Sequence, residues 1–100
     1  MLSETEIILS KHAMLRIKER IGTMSNKEKY ELARKAFVDG KTPVHFIEKD
    51  MALYKYLSYK QKTLVATVRV LEKMVYIYTN TKPYTLITCY QLPETFLEKC

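Results

Sequence analysis

His12, Arg16 and Arg20 recur at intervals of four, with Glu19 beside them, so on a helix they project in one row. One imidazole and two guanidiniums so arranged suit phosphodiester chemistry. The imidazole can accept or donate a proton near neutral pH, and each guanidinium holds phosphate through a planar fork and stabilises charge developing in the transition state. Lys11 and Lys18 flank the row and would add phosphate contacts. The same spacing also fits solvated helix charges, with Arg16 paired to Glu19 and His12 merely a residue of the first turn.

Nearer the C-terminus, Leu86, Thr88 and Tyr90 alternate with Ile87 and Cys89, which on a regular strand places the first three on one face. Thr88 and Tyr90 could then offer hydroxyls to a phosphate, although both are also good strand formers at half-buried positions. Tyr54, Tyr56 and Tyr59 interleave with Lys55, Lys60 and Lys62 in a chain of eight tyrosines. Bases stack on aromatics beside basic groups, so Tyr54, Lys55 and Tyr90 are candidate RNA contacts. An amphipathic helix docking its tyrosines on a sheet, with lysines reaching water, accounts for the same residues, and aromatic-rich surfaces also serve protein partners. His45 has no acidic or Cys companion at ligand spacing and reads as a loop residue. With Cys89 in a strand-like run and Cys100 at the end, no metal site is expected. A glycine-rich phosphate loop, a Ser nucleophile elbow and a paired-Cys zinc knuckle are all missing from the sequence, so no cofactor is implied.

The elements that would position these residues follow from their spacing. Ser10 precedes a helix over 11–21 with Ala13, Met14, Ile17 and Ile21 on one stripe and Gly22 closing it. Ser25 and Glu28 have capping-box spacing, and Leu32, Ala33, Ala36 and Phe37 line a second helix over 26–39 that stops at Gly40. The stretch 42–47 is extended or loop around Pro43. Asp50 would cap a third helix over 51–61 carrying Leu53, Tyr54 and Leu57, although Tyr54-Lys55-Tyr56 also suits a strand. From Leu64 the period becomes two, giving strands over 65–71, 74–79 and 85–90 joined by short turns at 72–73 and 80–83, hence a meander. Leu92-Pro93 ends the last strand, and 94–99 is a tail of at most one helical turn. The expectation is an α+β fold, with two or three N-terminal helices packed on one face of a three-stranded antiparallel sheet. With Ala13, Ile17 and Ile21 against the sheet, His12 and Arg16 sit about 100° round the helix, where they could meet Thr88 about one phosphate.

One hundred residues suit a single domain over 1–100, and 47% hydrophobic with 28% charged residues is an ordinary globular composition. Ile7-Ile8-Leu9 is too short for a signal segment and follows Glu4 and Glu6, and no run approaches the roughly 20 apolar residues of a membrane span, so a reducing cytoplasm fits best. Seventeen Lys+Arg against eleven Asp+Glu give +6, favouring RNA, DNA or an acidic protein surface as partner. The edges of a three-stranded sheet would also allow a homodimer.

The helix Ser10-Lys11-His12-Ala13-Met14-Leu15-Arg16-Ile17-Lys18-Glu19-Arg20 resembles the His-Ala-x-x-Arg-x-x-x-Arg opening of small Firmicutes phage and prophage proteins related to the RelE/barnase-like ribonuclease-toxin superfamily. The stretch from Val68-Arg69-Val70 through Met74-Val75-Tyr76-Ile77-Tyr78 to Leu86-Ile87-Thr88-Cys89-Tyr90-Gln91-Leu92-Pro93 resembles their terminal hairpins. The resemblance implies metal-independent RNA cleavage, with His12 as general acid/base, Arg16 and Arg20 as phosphate holders and Thr88 positioning the substrate. The segment carrying Tyr54, Tyr56 and Tyr59 departs from the toxin pattern. Two functions follow as expectations: a small RNA-binding protein with endoribonuclease activity, or a non-catalytic phage-encoded effector that inhibits a host defence nuclease or replication factor.

Overall fold

The computed structural model describes residues 7–93, and within them each helix begins where a side chain can satisfy its free backbone donors. Helix α1 spans Lys11–Arg20, with the Ser10 hydroxyl accepting the Ala13 N–H at 3.0 Å. Helix α2 spans Asn26–Asp39 and opens on the reciprocal Ser25–Glu28 capping box, with bonds of 2.8 and 3.2 Å. Helix α3 spans Met51–Leu64, capped by the Asp50 carboxylate on the Leu53 N–H, and runs three residues past the expected end to a left-handed Val65. A short 3₁₀ turn, Pro43–Phe46, occupies the stretch expected to be extended or loop. Pro43 starts that turn because its missing N–H is no loss at a first helical position.

The sheet has four strands, β1 (Ile7–Leu9), β2 (Ala66–Leu71), β3 (Met74–Thr79) and β4 (Tyr84–Gln91), in the order β1-β4-β3-β2. Strands β2, β3 and β4 form the expected antiparallel meander, but β1 pairs parallel with β4, Ile7 opposite Tyr84 and Leu9 opposite Leu86. The sheet is therefore mixed and four-stranded, not three-stranded and antiparallel. Three residues are too few to display a period of two, and their partner lies at the other end of the chain.

A bulge interrupts the β3–β4 ladder. Ile77 pairs with Thr88, but the next residue, Tyr78, pairs with Leu86, which leaves Ile87 as the extra residue. Leu86 and Cys89 consequently share one face with Tyr78 and Tyr76, whereas Thr88 and Tyr90 share the other with Ile77 and Val75. This corrects the unbroken Leu86–Thr88–Tyr90 alternation expected from the sequence.

Helices cover both faces, not one. On the first, Ala13 and Ile17 of α1 and Ala33 and Ala36 of α2 pack on Tyr76, Tyr78, Leu86 and Cys89. On the second, Phe46 of the 3₁₀ turn and Leu53 and Leu57 of α3 pack on Val68, Val70, Val75 and Ile77. The unbroken run Val75-Tyr76-Ile77-Tyr78 is buried throughout, as a strand flanked by two layers must be. Tyr78 is fully buried, and its hydroxyl donates to the Ala33 carbonyl at 2.7 Å, joining α2 to β3 through the core. Burial pushes that hydroxyl far above its ordinary pKa, so it remains a donor. The helical turn expected over 94–99, and Cys100, lie outside the described residues.

Where α2 ends, Gly40 passes so close to β2 that an added Cβ would fall on the Ala36 carbonyl oxygen and within 3.0 Å of Arg69 Cβ. Gly40→Ala should therefore cost roughly 1–3 kcal/mol. The expected sign is a lower urea midpoint at unchanged slope; an unchanged midpoint would mean that this close approach does not constrain the fold.

Candidate nucleic-acid interface

The position of α1 is set at the bulge. Ser10 donates its N–H to the Leu86 carbonyl and its hydroxyl to the Ile87 carbonyl, each at 3.1 Å, while the same hydroxyl caps the helix. With Ala13 and Ile17 fully buried, α1 runs along β4 and brings Arg20 to Tyr90 and Gln91 at the strand's far end. Since β1 pairs only with Tyr84 to Leu86, no described strand flanks β4 beyond that point.

Along the outer side of α1, Arg16 Nε donates to His12 Nε2 at 3.2 Å and Arg16 Nη1 to Glu19 Oε1 at 2.7 Å. Arg16–Glu19 is the one ion pair among the described residues. An exposed i,i+3 pair of this kind stabilises by only about 0.3–0.5 kcal/mol, so an incoming phosphate can displace it. Lys11, His12, Lys18 and Arg20 are exposed, and Arg20 has no carboxylate within ion-pair distance among the described residues. Burial pushes the Cys89 thiol beneath α1 up to about 11, with the positive charges of Arg20 and Arg16 acting in the opposite direction.

A cleft of about 530 Å³ opens between the end of α1 and the end of β4, lined by Glu19, Arg20, Tyr90 and Gln91. Tyr90 is held from the α3 side. Its hydroxyl lies 3.1 Å from that of Tyr56, and Lys60 Nζ stands 5.6 Å from the Tyr56 ring centre and 5.9 Å from that of Tyr90. Burial, and then the bond with Tyr56, raise the Tyr90 pKa, so the phenol stays neutral. The arrangement combines guanidinium groups that can meet phosphate with a neutral, supported aromatic ring.

The structure thus brings His12, Arg16 and Glu19 into one hydrogen-bonded chain and Arg20 and Tyr90 into one cleft. It does not bring Thr88 to them. Thr88 faces away from α1 because the bulge at Ile87 reverses the alternation, so His12, Arg16 and Thr88 do not surround a common phosphate. Tyr54 and Lys55 also lie on the α3 side, Tyr54 half-buried against the core and Lys55 exposed. Gln91 joins the cleft with no signal in its sequence context, and Tyr56 and Lys60 reach Tyr90 only because α3 covers the second face of the sheet. Among the described residues no three His, Cys, Asp or Glu side chains gather as a metal site, and no helix is long and apolar enough to cross a membrane. Comparison with known protein families, with curated proteins and with solved structures finds no match to this chain.

Releasing Arg16 from Glu19 should favour anions without altering the fold. Glu19→Gln is expected to stay within about 0.5 kcal/mol of the parent in urea unfolding. It should also elute from phosphocellulose at higher salt than Glu31→Gln, which changes net charge equally on α2. Equal elution of the two would show that Arg16 gains nothing by being freed.

Proposed function

We propose that this protein is a small basic RNA-binding domain that lays a single strand along α1 and into the cleft between Arg20 and Tyr90. Phosphates would meet Arg16, Arg20 and the flanking Lys11 and Lys18, and a base or ribose would lie against Tyr90. The observation that carries this reading is the pairing, in one cleft, of an arginine with no carboxylate partner among the described residues and a tyrosine supported from behind by Tyr56 and Lys60. An acidic protein surface would also be drawn to the arginines and could pack on the ring, and the capture experiment below distinguishes it from RNA.

Binding is favoured over cleavage. His12 could still move a proton, yet the hydroxyl that the family resemblance assigned to position the substrate, Thr88, is on the opposite face of the sheet. The chain would then share the toxin-like helix without the assembled reaction centre.

The test is binding of a labelled single-stranded RNA by fluorescence anisotropy over a salt series. Arg20→Ala, at an exposed position, should weaken binding several-fold and reduce the slope of log K against log salt by about 0.7, the contribution of one single-strand phosphate. An affinity and slope identical to the parent would sink the proposed interface. The same RNA incubated in chelator should remain intact. Products ending in 2′,3′-cyclic phosphate that vanish in His12→Ala would establish the ribonuclease instead, and a stoichiometric host protein captured after nuclease treatment, without RNA binding, would establish the effector.

A further inference from the structure

A second cleft, of about 300 Å³, lies at the β2–β3 turn, and Lys41, His45, Lys49 and Lys73 line it together with Asp39 and Glu72. None of its three lysines forms an ion pair with either carboxylate, since the one described pair is on α1. The cleft therefore keeps a net positive charge, and its walls are built firmly. The backbone of Lys41 is locked to Val70 by bonds of 2.7 and 2.9 Å. The His45 ring stands edge-on to Phe46, their centres 4.9 Å apart, and Phe46 is buried in the core beneath α3. The Lys49 and Asp50 N–H groups both return to the Phe46 carbonyl, at 3.2 and 2.8 Å, which fixes where Lys49 leaves the backbone.

The turn itself has φ of 51° at Glu72 and 71° at Lys73. Two-residue hairpins of this kind form most easily with Asn-Gly, and a left-handed residue with a full side chain costs on the order of 1 kcal/mol. This chain places two charged residues there, and Glu72 and Lys73 both line the same cleft as Lys41, His45 and Lys49. Loss of solvation, and then repulsion from Lys41 and Lys49, lower the pKa of His45. An anion seated among these groups would offset that repulsion.

The two clefts lie along one end of the sheet. Gln91, at the first, pairs with Met74; Met74 pairs with Leu71; and Val70, beside Leu71, pairs with Lys41 at the second. Three strand spacings of about 4.8 Å separate them, roughly 15 Å. At about 3.4 Å per stacked nucleotide this is the length of about four nucleotides.

We propose that the Lys41–His45–Lys49–Lys73 cleft is a second phosphate-binding site, occupied by the same RNA strand that enters the Arg20–Tyr90 cleft. The proposal rests on the RNA-binding reading for its ligand, but the cleft can be tested without it. Binding of oligonucleotides of increasing length should rise by roughly tenfold or more once a strand can span both clefts, because the second contact becomes intramolecular. The double variant His45→Gln/Lys49→Gln, at exposed positions, should abolish that rise and leave the affinity of the shortest binding oligonucleotide unchanged. The same length dependence in variant and parent would overturn the proposal while leaving the Arg20–Tyr90 interface intact.

If no oligonucleotide binds, that interface fails and inorganic phosphate decides the second cleft alone. Followed by NMR at the His45 ring, phosphate should shift the resonances saturably and raise the imidazole pKa, since Lys41, Lys49 and Lys73 are offset and the charged form gains a partner. Lys49→Gln should weaken this response. Resonances that phosphate does not move would overturn the site.

Discussion

One oxygen atom joins the two halves of the chain. Ser10 Oγ accepts the Ala13 N–H that starts α1 and donates to the carbonyl of Ile87, the extra residue of the β4 bulge. A helix tied at its first turn to a strand can pack along that strand in few ways. Here the buried stripe of Ala13 and Ile17 selects the one that ends with Arg20 beside Tyr90. The bulge does a second thing at the same place. It turns Thr88 and Tyr90 toward the α3 side, and so separates the exposed α1 row from the hydroxyl that a regular strand would have set beneath it.

The two covered faces of the sheet carry different parts of the candidate interface. The α1 side supplies charge: Arg16 and Arg20 are close enough to act on the Cys89 thiol below. The α3 side supplies an aromatic support, since Tyr56 and Lys60 brace Tyr90 from behind. A helix on one face alone could not have brought both kinds of group to the same strand end. The core can be this divided because β3 is apolar on both sides, with the Tyr78 hydroxyl finding its partner in the Ala33 carbonyl rather than in water.

Charge is the other constraint. The chain carries a formal +6, and among the described residues one ion pair forms, so most of the described lysines and arginines have no described carboxylate partner. Long basic side chains of this kind are available to an anionic partner at little structural cost, because the surface pair that must be broken is weak. The arginine that is structurally occupied is Arg69, whose guanidinium stacks on Phe37 at 5.0 Å and donates to the Phe37 and Val68 carbonyls. Arg16 and Arg20 have no such core role.

What the sequence determined by itself was local. Ser10, Ser25 and Asp50 mark the starts of α1, α2 and α3 because an N-cap bond spans only three residues, and Glu72-Lys73 separates β2 from β3 because a hairpin closes within its own turn. The Arg16–Glu19 pair and the shared row of His12 and Arg16 were legible for the same reason. Tertiary structure decided the rest: β1 beside β4, α3 on the second face, and the extra residue Ile87 that turns Thr88 away from α1. Each depends on partners far apart in the chain. A strand of three residues shows no period, an apolar run such as Val75-Tyr76-Ile77-Tyr78 does not say which helix covers which side, and a bulge leaves the alternating sequence unchanged while reversing the faces beyond it.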